Sequence, residues 1–159
     1  MPKPDMTLAV NVNVTGSIDS NNHLNATATY SQGTTVPAST NVVASNGDIN
    51  LNNMNDSNNN YSNQTDITFM LSGTITDQGG NSYTVVYPDA VAQAISIQQK
   101  GGGGGNGQLT PSLPSETSLT IDDADTDGQE YTYCLTVEPN MISADAIPTC
   151  PLDPQIVNR

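Results

Sequence analysis

The sequence predicts an all-β protein: an antiparallel β-sandwich of about seven or eight short strands, with long polar and Gly-rich loops. A barrel or a jelly roll is the alternative topology. Three observations carry this prediction. Apolar residues recur at every second position in most patterned segments. Asx, Ser and Gly clusters punctuate those segments at short intervals. No stretch repeats apolar residues at i, i+3 and i+4 over three turns, as an amphipathic helix requires.

Leu8, Val10, Val12 and Val14 share one parity, continued by Ile18, while Thr7, Ala9, Asn11, Asn13 and Thr15 take the other. Asp19-Ser20-Asn21-Asn22 turns the chain, and Leu24, Ala26, Ala28 and Tyr30 alternate again, so residues 6–31 read as a hairpin. Val42, Val43, Ile49 and Leu51 around Asn46-Gly47 suggest a weaker one. Ile67, Phe69, Leu71 and Ile75, the turn Asp77-Gln78-Gly79-Gly80-Asn81, and Tyr83, Val85 and Tyr87 repeat the pattern. Ile95 and Ile97 mark a further strand, Leu119 and Ile121 a short one, and Tyr131, Tyr133, Leu135 and Val137 a strong one. The 159 residues fit a single domain, with 138–159 as a Pro-rich tail of little regular structure.

Two segments interrupt the alternation. Residues 52–64 form a polar, Asn-rich run, and 100–116 contain Gly101, Gly102, Gly103, Gly104, Gly105, Asn106 and Gly107 before Leu109-Thr110-Pro111-Ser112-Leu113-Pro114. Ordering bare glycine backbone costs more entropy than ordering any other residue. Residues 100–114, with 101–107 as the contact residues, are therefore expected to order against a neighbouring subunit, together with 52–64.

Composition removes several function classes. Asn (19), Thr (19) and Ser (14) make up a third of the chain, and charged residues only 12%. Three Lys and Arg stand against sixteen Asp and Glu, a net charge of −13, which cannot neutralise a phosphate backbone and argues against nucleic acid as a partner. No apolar run approaches the ~20 residues of a membrane span. The start Met-Pro-Lys-Pro-Asp has no apolar h-region, so no signal peptide is expected in this stretch. Leu, Ile, Val and Phe total 31, which predicts a thin core.

Catalytic patterns are equally sparse. His23, the one histidine, falls on the polar side of a hairpin without a partner for general-base work. No G-x-S-x-G occurs. The formal G-x-G-x-x-G at Gly102, Gly104 and Gly107 is followed by Leu-Thr-Pro-Ser-Leu-Pro, which cannot open a phosphate-binding helix. The expectation is a protein that is not an enzyme.

Two local features suggest stabilising chemistry. Asp123-Ala124-Asp125-Thr126-Asp127-Gly128 places carboxylates at alternate positions before a Gly, the opening half of an EF-hand-type loop. Asp123, Asp125 and Asp127, with Gln129, are the candidate ligands of a Ca²⁺ cofactor. Cys134 stands where the second half would need a bidentate Glu, so a solvated acidic turn is the competing reading. Cys134 and Cys150 are the only cysteines, and their even number favours a disulfide over two unpaired thiols. Such a bridge would staple the tail to the outside of the last strong strand, a closure worth ~3 kcal/mol.

Leu119-Thr120-Ile121, the acidic turn, and Gly128-Gln129-Glu130-Tyr131-Thr132-Tyr133-Cys134-Leu135-Thr136-Val137 together resemble the late strands of fibronectin type III and related immunoglobulin-like sandwiches. The resemblance spans residues 119–137, and the chain has no Trp where those families carry an early one. It implies a binding or spacer module and supplies no catalytic residue.

These observations combine into the expectation of a non-enzymatic structural or assembly protein. It would be a homo-oligomeric subunit of a virion (a phage capsid decoration, tail or fibre) or of an extracellular assembly, located in the virion or outside the cell. The alternative is a secreted or cell-surface, calcium-stabilised binding or adhesion module.

Overall fold

A computed structural model describes residues 1–100, 108–124, 128–142, 146–152 and 155–157. Eleven strands occur among them: β1 (Met6–Ile18), β2 (Leu24–Val36), β3 (Ile49–Asn50), β4 (Thr65–Thr76), β5 (Ser82–Val86), β6 (Ile95–Gln99), β7 (Leu109–Ser115), β8 (Ser118–Asp123), β9 (Glu130–Pro139), β10 (Cys150–Leu152) and β11 (Gln155–Val157). Two short helical pieces join them, a 3₁₀ turn at Leu51–Asn53 and α1 at Val91–Ala94. The protein is all-β, and its sheet is mixed and curled.

The hairpin over 6–31 is present and longer than the alternation implied, because β2 runs on to Val36. Asp19 closes its turn by accepting from the backbone N–H groups of Asn21 and His23, while Asn22 takes a left-handed φ of 61°. β4 then returns beside β1 on the side away from β2, in register from Met6↔Thr65 to Ser17↔Thr76, and runs parallel to it. A second parallel pairing joins β11 to β3. A purely antiparallel sheet is therefore not what forms. The segment between β2 and β4 carries the chain across the sheet before β4 begins, so β4 can run in the direction of β1.

β4 feeds two neighbours. Its first half pairs with β8, which pairs with β7, and its last residues pair with β5. β5 turns the sheet over through Val85↔Pro139 and Val86↔Glu138 into β9. β9 is flanked by β6 on one side and by β10 and β11 on the other. The even-numbered apolar residues of β1 and the odd-numbered ones of β4, β8 and β9 all face inward into one buried cluster. Across that core the rings of Phe69 and Tyr133 meet at 5.1 Å and 43°. Tyr133 donates to the Gly47 carbonyl at 2.7 Å and Tyr87 to the Phe69 carbonyl at 3.3 Å, so their buried hydroxyls are satisfied. Burial pushes both phenols above their ordinary pKa.

Three segments expected to be irregular are ordered by the chain itself. Residues 109–115 form β7, and Pro111 and Pro114 fit there because, among the described residues, β7 pairs along one side only, with β8. In the polar run 52–64, Asp56 accepts from the N–H groups of Asn60 and Tyr61. Ser62 then donates its N–H to the Pro4 carbonyl, and Met6 donates to that of Gln64. The tail contributes β10 and β11, held to β9 by strand pairing.

Candidate assembly surface

The strands β2, β1, β4, β5, β8 and β7 present an outward face built from the polar parity of the sequence. Their registers align these side chains into ranks across the sheet. Thr15 lies between Thr27 and Thr74, and Thr74 opposite Thr84, which makes one rank of four threonines over four strands. The next ranks read Thr29–Asn13–Ser72 and Ser31–Asn11–Met70–Ser118. Beyond them lies Ala9–Thr68–Thr120–Ser112, where the Thr68 and Thr120 hydroxyls sit 3.1 Å apart. No charged residue stands in these four ranks, and Met70, 52% exposed, is their one large apolar side chain. Such a face offers hydroxyls and amides as both donors and acceptors without a fixed charge.

Charge returns at one end. Asp66 stands between Thr7 and Asp122, and two carboxylates thus face each other across the β4–β8 pair. Partial burial, followed by the Asp122 and Asp5 carboxylates, raises the Asp66 pKa. Behind this end, on the core face, Asp123 and Thr65 are cross-strand neighbours and both fully buried. The Thr65 hydroxyl has no hydrogen-bond partner among the described residues.

The expected sites fall out as follows. Of the four candidate Ca²⁺ ligands, Asp125 and Asp127 lie outside the described residues. Asp123 ends β8 facing the core, whereas Gln129 is exposed. Among the described residues no three His, Cys, Asp or Glu side chains gather as a metal would need. Residues 101–107 also lie outside the described residues.

The expected Cys134–Cys150 bridge is corrected: the two cysteines are not joined to each other. Cys150 lies opposite Val137, which points inward, while Cys134 lies opposite Ser96 with the outward parity of β9. Three residues of strand separate the two positions, about 10 Å, against the ~4.4–6.8 Å between Cα atoms that a disulfide spans. Cys150 instead rests its Sγ 3.7 Å from the Ala26 carbonyl of β2. The parity assigned to Cys134 matches its half-buried position between buried Tyr133 and Leu135. What the sequence did not reveal was which residue of β9 the tail would face.

No family model matches the chain, and no curated protein matches it. Among solved structures there is a distant likeness to the inclusion body protein PixA of Burkholderia cenocepacia. The two are 11% identical with a TM-score of 0.39, over 99% of this chain and 98% of that one. Among the described residues no helix is long and apolar enough to cross a membrane.

The individual strands were legible from alternation, and so was the polarity of their outward parity. The ranks were not, because their alignment depends on β4 lying beside β1, and nothing local specifies that pairing.

Proposed function

We propose that this chain is a non-enzymatic structural protein, a β-sandwich-like subunit that assembles with further copies of itself in a virion or another extracellular assembly. The observation that supports this reading is the broad uncharged face of β2, β1, β4, β5, β8 and β7 on a chain of net charge −13. Homotypic contacts between acidic subunits are unfavourable wherever carboxylates meet. A surface of Thr, Ser and Asn is where such subunits approach at least cost, with Asp66 and Asp122 left at the rim. The test is light scattering coupled to size-exclusion chromatography over a concentration series. The expected mass is a multiple of 16.6 kDa. A single-chain mass at every accessible concentration overturns the reading.

A second reading, a calcium-stabilised binding or adhesion module, draws on Asp123, a buried carboxylate at the head of the acidic segment 123–127. It requires that chelation lower the melting temperature, because an ion bound only by the folded state stabilises it by mass action. The assembly reading does not require this.

A further inference from the structure

We propose that the uncharged face carries both halves of a contact between two copies of this chain: Met70 of each copy seats in the depression over Ala9 of the other, about a twofold axis that crosses the strands between the two features. This names the contact within the assembly reading above and rests on it.

The depression follows from residue size. Ala9 stands in a rank otherwise made of Thr68, Thr120 and Ser112. The β1–β2 register shifts at this point: Leu8 pairs with Thr35 and Val10 with Gln32, so Gly33 and Thr34 together oppose Ala9. A Cβ built on Gly33 would stand 3.0 Å from the Ala9 Cβ, so the bulge packs this closely only because both residues are small. The result is a depression of about 430 Å³ over Leu8 and Ala9, walled by Thr7, Thr34, Thr68, Thr120 and Asp66. The Thr68 and Thr120 hydroxyls lie 3.1 Å apart and bond each other, which leaves that wall little need of a polar occupant. Val36, 41% exposed and paired with Thr7, adds apolar surface beside the rim.

The group that fills it is one rank away. Met70 lies two residues beyond Thr68 on β4 and takes the same outward parity, about 6.7 Å further along the strand. It is exposed, with Asn11 of β1 on one side and Ser118 of β8 on the other. An unbranched thioether adapts its shape to an irregular hollow.

Three observations make a second copy the occupant. A twofold contact uses the same patch on both partners, and here the projecting side chain and the hollow share one face. The charges also fit. An axis midway between Met70 and the depression sets the Asp66–Asp122 end of one copy over the Asn13–Ser72 rank of the other, so carboxylates meet amides and hydroxyls instead of carboxylates. Finally, four strands by four ranks cover on the order of 500 Å² per copy, less than the ~800 Å² per partner of a standard complex. The contact is therefore weak and concentration-dependent, which suits subunits gathered in one assembly.

The experiment is sedimentation velocity over a concentration series on the full chain, on Met70→Ser, which removes the projecting group, and on Ala9→Leu, which fills the hollow. Each variant is expected to weaken self-association at least about tenfold, since each dimer loses two apolar contacts. Met70→Leu is expected to retain it. An equimolar mixture of Met70→Ser and Ala9→Leu is expected to associate more tightly than either alone. Its mixed dimer keeps one Met70 in an open depression, and at the other contact a small side chain faces a filled one. Melting curves check the folds. Met70 is exposed, so Met70→Ser is expected to melt as the wild type does, and it keeps the test decisive even where Ala9→Leu does not fold. Association undiminished in either folded variant, or a mixture of folded variants no tighter than its components, overturns this contact and leaves the assembly reading standing. A wild-type chain that stays a monomer at every accessible concentration overturns both.

Discussion

Asp77 shows how single carboxylates shape this fold. Its side chain accepts from the Asn81 backbone and amide, and from the Tyr83 hydroxyl at 2.9 Å, which closes the β4–β5 turn. The Asn81 side-chain amide, then the Asn81 N–H, hold its pKa below the usual carboxylate value. A depressed acid contributes stability above its ordinary titration range and loses it as pH falls through the depressed value. Asp77→Asn is therefore expected to lower the melting temperature at neutral pH, and the difference from wild type to close in acid. Asp66 carries the opposite sign. Its raised pKa means that the folded state holds the proton more tightly, so stability falls as pH rises from the ordinary carboxylate pKa through the raised one. Asp66→Asn is expected to raise the melting temperature at neutral pH and to lose that advantage in acid. Melting curves of both variants across pH check the pair. At Tyr133 the decisive group is a buried hydroxyl: Tyr133→Phe leaves the Gly47 carbonyl without it and is expected to cost about 1–2 kcal/mol in urea unfolding.

At the scale of the elements, the parallel run of β4 beside β1 depends on Gly73. Its φ is +132°, and a Cβ built there would stand 1.8 Å from the Val14 carbonyl oxygen, which is backbone and cannot move aside. Gly73→Ala is expected to destabilise by about 3 kcal/mol or more, through strain and a broken ladder. Wild-type urea stability in the Gly73→Ala variant would show that this stretch of the pairing is formed differently. The elements also show why β7 was hidden. Leu109, Pro111 and Leu113 keep a period of two, but prolines argue against a strand unless one edge is known to be free, and that is a property of the sheet. The tail strands were hidden for a related reason. β10 and β11 are three residues each, too short for a visible alternation, and they exist because β9 has a side to which they can add.

For the molecule as a whole, charge would govern the proposed association. With −13 on the chain and a pI near 4.1, copies repel at neutral pH in low salt. An uncharged contact face gains nothing from that field, so the proposed self-association is expected to strengthen as added salt shortens the Debye length, and again as pH approaches the pI. Sedimentation across a salt series checks this, and association that weakens with salt would indicate contacts between opposite charges instead.

The chain alone was enough for the all-β class, the 6–31 and 67–87 hairpins, the inward and outward parities, and the strong strand around Tyr133. These depend on alternation and turn chemistry within a few residues. The parallel pairing of β1 with β4 and the threonine ranks were decided only by the folded sheet. So was the placement of Cys150 against Val137 on the face away from Cys134. Each depends on which segments become neighbours across long sequence separations. Period-two patterning tells a residue which face it takes, but not which strand lies beside it.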